Sequence, residues 1–367
     1  MTGGIYVHFP YCEHRCSYCD FVVATPRHIP QARFTEAVIS ELRGRASELS
    51  EPASTLYLGG GTPSLWDTEQ LEELLNAVSQ APGLGPDAEI TLEANPSEVT
   101  PAQMARLRAL GVNRISLGVQ SFQDDLLLGI ERRHNGDRAR DACRTIANAG
   151  FRSHSVDLIF GLPNQTLARW HDDLDAILAL KPPHLSVYGL TVEPRTVMQR
   201  QVETGAIEVP DDALQAEMMF AARDRLRSSG YIHYEVSSYA LPGHRARHNS
   251  SYWRGVPYLG LGPGAHGFLP PRRWINIRRP SQYIRAAMSG DPTESVEELD
   301  EATLSFERIM TGLRDLERGV DFGEDWERFA AAAQRQALKG NLALDGRHAR
   351  LTDRGLRLMN SVLLDLL

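Results

Sequence analysis

Three of the chain's four cysteines, Cys12, Cys16 and Cys19, lie within one stretch, YCEHRCSYCDF. Thiolates bind soft metals, chiefly zinc and the irons of iron–sulfur clusters. Structural zinc needs four protein ligands, usually as two separated pairs, and the remaining cysteine, Cys143, falls in a predicted helix as a core residue. Three ligands suit a [4Fe–4S] cluster with one open iron. Zinc completed by His14 or His8 as fourth ligand is the weaker alternative.

Further distinctive residues follow, each near the end of a predicted strand. LYLGGGTPS contains Gly60, Gly61 and Thr62, and its glycines let the backbone approach a ligand closely. The next strand ends and the loops after them carry Glu93, Gln120, Arg132 and Asp157. Each of these alone is more simply a solvated or capping residue. Together, at successive strand ends, they predict the lining of one mouth.

The scaffold that brings such strand ends together is predicted from the alternation along the chain. Six short apolar or β-branched runs, from GIYVHF to HLSVYGLTV, alternate with amphipathic stretches. In the first of these stretches Phe34, Val38 and Leu42 recur at i+4 spacing, which places them on one helix face. Six βα units predict an α/β fold with a parallel sheet, doubly wound or curled into a barrel. The polar residues at the carboxyl ends of the strands favour a barrel.

The pattern changes after about residue 205. A helix is predicted near 211–229, followed by the Gly- and aromatic-rich HNSSYWRGVPYLGLGPGAHGF. The C-terminal GNLALDGRHARLTDRGLRLMNSVLLDLL predicts a short hairpin and a helix, typical of a small winged-helix-like module. We therefore expect a barrel over 1–205, a barrel-capping region over 206–300 and a C-terminal module over 301–367.

Composition excludes several classes of protein. The 367 residues, 42% of them hydrophobic, can bury a large core, and a net charge of −8 provides no broad basic field for nucleic acid. The sequence has no run of about 18 apolar residues to span a membrane. The start, MTGGIYVHFP, lacks the regions of a signal peptide. A cytoplasmic protein is expected.

A strand, then C-x3-C-x2-C with Tyr18 before the last cysteine, then a six-fold βα pattern resembles the radical S-adenosylmethionine (SAM) superfamily. The resemblance implies a partial (β/α)6 barrel and a [4Fe–4S] cluster on Cys12, Cys16 and Cys19. SAM would chelate the fourth iron through its amino and carboxylate groups. One electron, passed on from an electron donor, would cleave SAM to methionine and a 5′-deoxyadenosyl radical.

The segments beginning with IYVHFPYC resemble one branch, the oxygen-independent coproporphyrinogen III oxidase and its relatives, from about residue 4 to the C-terminus. By motif, Tyr6, Gly60 and Glu93 match residues at the cluster-bound SAM. Residues that in the oxidase partly serve a second SAM are matched by Gly61, Thr62, Gln120, Arg132 and Asp157.

Two features separate the chain from the oxidase. The oxidase has a further cysteine two residues after its third, and this chain has Phe21 at that position. The oxidase also has an N-terminal extension ahead of its cysteines, and Cys12 lies too near the start of this sequence to leave room for one. In both features the chain is similar to the heme-chaperone relatives of the oxidase. HNSSYW matches their H-N-x-x-Y-W motif, which is associated with heme binding. The resemblance therefore implies that the region 206–300 also binds heme, through His248, Asn249, Tyr252 and Trp253.

Chemistry alone supports heme less strongly. A histidine can ligate heme iron, but a hydrogen-bonded histidine at a domain junction is the simpler interpretation of His248. His266 is an alternative ligand. PRRWINIRRP is more simply a solvated basic loop, although its guanidinium groups could pair with heme propionates. Those groups belong to Arg272, Arg273, Arg278 and Arg279.

These patterns together predict a heme chaperone of radical-SAM type that passes heme to an acceptor protein. Membrane association would be peripheral, through that acceptor, and a monomer and a homodimer are both compatible with the sequence. The alternatives are a coproporphyrinogen III oxidase, which converts propionates to vinyl groups in porphyrin biosynthesis, and a radical-SAM enzyme with another substrate. Whether SAM is cleaved in the natural cycle is left open by the sequence.

Overall fold

The computed structural model describes residues 3–366, and its first half is the predicted series of βα units. Six strands each pair in parallel with the next along the chain. The strands are β1 (Gly4–Phe9), β2 (Ala53–Gly60), β3 (Leu84–Ala94), β4 (Arg114–Gln120), β5 (Ser153–Phe160) and β6 (His184–Gly189). The connecting helices are α1 (Gln31–Arg45), α2 (Thr68–Gln80), α3 (Pro101–Ala109), α4 (Asp124–Gly129), α5 (Gly136–Asn148) and α6 (Leu167–Leu180).

Local sequence signals set the ends of these helices. The side chains of Asp67, Thr100 and Asn135 each accept a hydrogen bond from a backbone N–H in the first turn of the helix that follows. Gly111 and Gly150 follow α3 and α5 with positive φ angles, which end those helices as predicted. The helices pack their apolar faces on the sheet in one large core.

The chain then extends this sheet at both edges. The elements are α7 (Val197–Glu203), α8 (Asp212–Ser228), β7 (Ile232–Glu235), β8 (Ser238–Ala240), α9 (Arg247–Trp253), β9 (Tyr258–Leu261), β10 (His266–Leu269), β11 (Arg272–Asn276), α10 (Pro280–Ser289) and β12 (Thr293–Glu298). The twelve-stranded order is β12-β11-β10-β9-β1-β2-β3-β4-β5-β6-β8-β7. The predicted α/β fold with a six-stranded parallel unit is confirmed. The return of β9 to pair in parallel with β1 was not predicted.

The C-terminal part has its own small sheet and hydrophobic cluster. It contains α11 (Glu301–Gly312), β13 (Val320–Asp321), α12 (Trp326–Leu338), β14 (Leu342–Asp345), β15 (His348–Leu351), α13 (Asp353–Arg357) and α14 (Met359–Leu366). The antiparallel sheet is ordered β13-β15-β14, and Phe322, Phe329 and Val362 lie in its core. The hairpin is where the sequence predicts it. The winged-helix-like character of this module and the domain boundaries stay predictions.

No helix within residues 3–366 has both the length and the apolar character needed to cross a bilayer.

Glu41 joins α1 to the strands beyond β1. Its buried carboxylate accepts hydrogen bonds from the Gly262 backbone N–H at 3.0 Å, Asn276 Nδ2 at 2.7 Å and the Tyr283 hydroxyl at 2.6 Å. Arg45, one turn later, pairs with it at 3.2 Å. Burial raises the pKa of Glu41, and the three hydrogen bonds oppose that rise. The carboxylate therefore holds together the part of the sheet formed by β9–β11.

Replacement of Glu41 by Ala should destabilise the protein strongly, because Arg45 and the buried donors of Asn276 and Tyr283 would lose their acceptor. We expect a loss of about 3–5 kcal/mol in the free energy of unfolding, measured by urea denaturation. Glu36→Ala, an exposed position on the same helix, is the matched control, with a change within about 0.5 kcal/mol. Equal effects of the two substitutions would contradict this account of Glu41.

Candidate functional site

The three clustered cysteines lie in a loop between β1 and α1 that is closed at its base. The backbone N–H of Cys12 donates to Ala24 O at 3.0 Å, and Ala24 donates back to Pro10 O at 2.7 Å. All three thiols are free and line one cavity of about 480 Å³. The cavity lies at the carboxyl ends of the parallel strands, where the sequence predicts the site.

The surroundings of the thiols fit an iron–sulfur cluster. Thr62 Oγ1 lies 3.4 Å from Cys12 Sγ, and Arg132 Nη1 lies 3.7 Å from Cys16 Sγ, so two sulfurs have polar donors beside them. Burial raises the pKa of the Cys12 thiol to about 11. A buried thiol of this kind becomes a thiolate only beside positive charge, which the irons of a cluster supply. The donor set of three thiols matches a cluster with one iron not held by the protein.

The surroundings fit a single zinc ion less well. No group of three or more His, Cys, Asp or Glu side chains in the described residues is arranged to hold one metal ion. His8 cannot complete such a site, because its ring nitrogens already contact the Tyr6 hydroxyl at 2.9 Å and Val22 O at 2.7 Å. His14 contacts Glu131 at 3.2 Å. His14 lines the same cavity as the thiols, and only its Nε2 is engaged, so of the two histidines considered as a fourth ligand His8 alone is excluded by its contacts.

The glycines after β2 support the cysteine loop. The backbone N–H of Gly61 donates to Phe9 O at 2.7 Å, and Thr62 donates to Tyr11 O at 2.9 Å. A Cβ added at Gly61 would lie 2.7 Å from Tyr11 O and 2.8 Å from Phe9 O, too close for any side chain. Gly60 has a φ of +110°, a conformation that favours glycine. These glycines allow the backbone of the loop to lie directly on the end of β2.

Glu93 lies at the end of β3 with both carboxylate oxygens engaged. It accepts a hydrogen bond from the Tyr57 hydroxyl at 2.8 Å and one from the Gly60 backbone N–H at 2.9 Å. Burial raises the pKa of Glu93 to about 7, partly offset by these two hydrogen bonds, and nearby Asp157 raises it further. Asp157 accepts hydrogen bonds from the Ser116 and Ser155 hydroxyls, and burial raises its pKa as well.

Arg132 connects the cysteines to the end of the sheet. Its Nη2 donates to Asn95 Oδ1 at 2.7 Å and to the backbone oxygen of Gly118, while Nη1 faces Cys16. Asn95 in turn donates to Thr62 Oγ1 at 3.0 Å. The Nε of Arg132 is buried and has no acceptor within residues 3–366. The guanidinium thus places a fixed positive charge beside the thiols.

The structure gathers almost all of the predicted cluster and SAM residues around this cavity. Its lining includes Cys12, Cys16, Tyr18, Cys19, Gly60, Gly61, Thr62, Glu93, Gln120, Arg132 and Asp157. Tyr6 is the exception, because it lines a second cavity. Sequence reasoning missed Tyr57, Asn95 and Tyr188 as lining residues.

The second cavity, of about 350 Å³, shares Tyr57, Glu93 and Tyr188 with the first. Its other walls include the predicted heme residues His248, Asn249, Tyr252 and Trp253 of α9. This helix lies at the amino ends of the strands. Its first backbone N–H groups, of Arg247 and His248, donate to the Glu89 carboxylate in β3 at 3.0 and 2.9 Å. The H-N-x-x-Y-W motif is thus at the opposite end of the strands from the cysteine loop.

His248 offers neither ring nitrogen to a heme iron in this arrangement. Its Nδ1 lies 2.8 Å from Thr55 Oγ1 and its Nε2 lies 2.7 Å from the Tyr252 hydroxyl. Its side chain is buried, and burial lowers its pKa to about 3. Trp253 Nε1 donates to Glu235 at 3.0 Å. The simpler interpretation, a hydrogen-bonded histidine at a junction, describes this geometry better than axial ligation does.

His266 and two of the four arginines lie elsewhere, on the surface. The His266 side chain is exposed, and its ring makes no hydrogen bond to residues 3–366. Arg272 pairs with Glu48 at 2.7 Å, and Arg273 pairs with two glutamates of β12 and α11. Arg278 and Arg279 are exposed and form no ion pair with the described residues. The first two arginines of the run thus form ion pairs within the protein, and the last two form none with the described residues.

Comparisons with known proteins identify the superfamily and the family of the chain. The model of the radical SAM superfamily matches residues 6–177. A protein named heme chaperone HemW from Synechocystis sp. is 38% identical over 336 residues, covering 88% of this chain and 80% of that protein. Another of that name from Mycobacterium tuberculosis is 36% identical, covering 99% of this chain and 94% of its own. The solved coproporphyrinogen III oxidase HemN from Escherichia coli, a radical SAM enzyme, superposes with a TM-score of 0.84.

These similarities differ in what they establish. The oxidase is 22% identical over 99% of this chain and 89% of its own, which demonstrates the shared fold. The relatives named HemW are 36–38% identical over most of both chains, which demonstrates common descent within one family. The chain therefore belongs to the radical SAM superfamily and, within it, to the family of heme chaperone HemW.

Proposed function

We propose that this protein is a cytoplasmic heme chaperone of radical-SAM type, which binds heme and transfers it to an acceptor protein. Cys12, Cys16 and Cys19 would hold a [4Fe–4S] cluster, and SAM would bind the remaining iron through its amino and carboxylate groups. The observation that carries the proposal is the cavity of about 480 Å³ in which three free thiols meet the ends of β2–β5. The names of the relatives support heme as the cargo.

The residues around the cavity suit SAM beside a cluster. Gly60 and Gly61 present backbone without side chains, so an amino group can approach closely. Glu93, held by Tyr57 and Gly60, is placed to accept hydrogen bonds from ribose hydroxyls once it is ionised. Arg132 offsets the negative charge of the thiolates. When bound, the cluster supplies one electron to SAM, and the protein side chains position SAM and exclude water.

Phe21 favours the chaperone over the oxidase. It occupies the position of the further cysteine of the oxidase, lines the cavity and is 59% exposed. A phenyl ring cannot ligate a metal, but it can pack against a porphyrin face. An exposed phenyl ring in place of a thiol at the cavity mouth therefore suits a protein that carries a flat, apolar ligand such as heme. The second candidate is the oxidase itself, which the fold alone does not exclude.

Removal of one cluster ligand tests the first part of the proposal. Cys16→Ala should lose most of its iron and acid-labile sulfide after anaerobic reconstitution, because two thiols cannot hold a four-iron cluster firmly. Cys143→Ala, which removes the buried thiol in α5, is the matched control and should retain four irons per chain. A full four-iron cluster in the Cys16→Ala protein would refute the assignment of the ligands.

Two assays on the cluster-loaded full chain separate chaperone from oxidase. Titration with heme, followed by absorbance, should show saturable binding of one heme per chain. Anaerobic incubation with SAM, a reductant and coproporphyrinogen III should form no protoporphyrinogen, because no thiol occupies the position of Phe21. Formation of protoporphyrinogen would establish the oxidase instead, and failure to bind heme would remove the chaperone assignment.

A further inference from the structure

A chain of buried hydrogen bonds begins at Asp157, which lines the first cavity. The Ser155 hydroxyl lies 3.1 Å from Asp157 Oδ1 and 2.8 Å from His184 Nδ1. The other ring nitrogen of His184, Nε2, lies 2.7 Å from the Tyr234 hydroxyl. Ser155, His184 and Tyr234 are all buried. Asp157 is thus connected to β7 through three side chains that each carry a movable hydrogen.

The chain continues to a second carboxyl group, that of Glu235. Glu235 follows Tyr234 in β7 and pairs in register with Ser238 of β8. The Ser238 hydroxyl is close enough to both Tyr234 and Glu235 to lower the pKa of each. Glu235 is buried, lines the second cavity and accepts a hydrogen bond from Trp253 Nε1 at 3.0 Å. The chain therefore has a buried carboxyl group at each end, one in each cavity.

His184 gives the chain a direction. Burial and the charge of nearby Arg114 hold the pKa of its ring well below the usual value, so the imidazole is neutral. A neutral imidazole has one N–H and one bare nitrogen, so it donates on one side and accepts on the other. When Nδ1 donates to Ser155, that hydroxyl donates to Asp157, and Nε2 accepts from Tyr234. When Nε2 donates to Tyr234, the donors point the opposite way.

The two directions favour opposite ends of the chain as the charged one. A carboxylate only accepts hydrogen bonds, whereas a protonated carboxyl group also donates one. With the donors directed to Asp157, that group is the carboxylate, and Glu235 donates its proton to Ser238. With the donors reversed, Asp157 donates to Ser155, and Glu235 is the carboxylate. Burial raises the pKa of both groups, so a single proton shared between the two ends avoids the cost of two buried charges.

Other charged and titratable groups face the chain from the neighbouring strands and loops. Arg114 favours the charged form of Asp157, and Asp315 opposes the charged form of Glu235. These charges influence where the proton resides, and a charge that enters either cavity adds to their effect. The groups around the chain are Tyr18, Tyr57, Glu93, Arg114 and Tyr188 near Asp157, His154 and His244 near His184, Arg245 at the Tyr234 ring, and Asp315, Tyr188 and Tyr239 near Glu235.

We propose that this chain is a proton relay that couples the charges of the two cavities. A cation bound in the first cavity stabilises Asp157 as a carboxylate, so the proton of Asp157 passes to Ser155. Each group then passes one proton to the next, until Glu235 is protonated. His184 changes tautomer, no proton is lost to solvent, and the negative charge moves from the second cavity to the first. The proposal rests on the proposed function, because it takes SAM, whose sulfonium group is positively charged, as that cation.

The relay makes the second cavity respond to the occupancy of the first. When SAM is bound, Glu235 is neutral, and the second cavity is less negative. Linkage between two sites is reciprocal, so a charged ligand in the second cavity changes the affinity for SAM by the factor by which SAM changes the affinity for that ligand. The two cavities thereby communicate through hydrogen bonds, without movement of the backbone.

The test counts the protons released when SAM binds to the cluster-loaded full chain. Anaerobic calorimetric titrations at one pH, in buffers of different ionisation enthalpy, give that number. Glu235→Gln keeps an acceptor for Trp253 but cannot take up a proton, so this variant should release about one more proton per SAM than the wild type. Ser155→Ala interrupts the chain and should show the same increase, because Asp157 then loses its proton to solvent.

Difference infrared spectra give a second readout, which a merely structural role of the chain would not change. SAM binding to the wild type should weaken the carbonyl band of protonated Asp157 and produce that of protonated Glu235. The new band should be absent from Glu235→Gln and from Ser155→Ala. Glu294→Gln, at an exposed position in β12, is the matched control and should behave as the wild type in both measurements.

Equal proton release by the wild type, Glu235→Gln and Ser155→Ala would overturn the relay. So would the absence of a new protonated-carboxyl band when SAM binds to the wild type, a measurement that needs no substitution and holds even where a variant fails to fold. A wild-type chain that holds its cluster but does not bind SAM would instead overturn the SAM site of the proposed function.

Discussion

The close contact between Gly61 and the backbone of the cysteine loop is the constraint on which the site depends. A Cβ there would lie within 3 Å of the carbonyl oxygens of Phe9 and Tyr11, so β2 can meet the loop only through a bare backbone. The resulting hydrogen bonds hold the loop across the strand end. Thr62, next in sequence, is thereby brought to Cys12, and Asn95 and Arg132 follow through hydrogen bonds.

The same geometry explains why so much of this site was predictable from the sequence. Parallel strands place their carboxyl ends side by side, so polar residues that recur at successive strand ends must converge. Glu93, Gln120 and Asp157 were identified in this way and line the cavity. Tyr57 and Tyr188 were missed because an aromatic residue within an apolar strand is indistinguishable from a core residue until the inward face is known.

The positions beyond β6 were harder to predict for a physical reason. Their partners are distant in sequence, as Glu41 is from Asn276 and Thr55 from His248, and no local pattern encodes such pairings. The pairing of β9 with β1 belongs to the same class. The short motif around His248 therefore indicated a ligand where the tertiary structure forms a junction. Its histidine bridges α9 to β2 and leaves no nitrogen free.

The two ends of the barrel therefore differ in the residues that they present. At the amino end, hydrogen bonds with Glu89 and through His248 fix α9, which forms one wall of the second cavity. At the carboxyl end, the three clustered thiols and Phe21 line one cavity. A cluster with an iron left open needs access to SAM and to an electron donor. The carboxyl end provides that access, because the cavity that holds the thiols lies there.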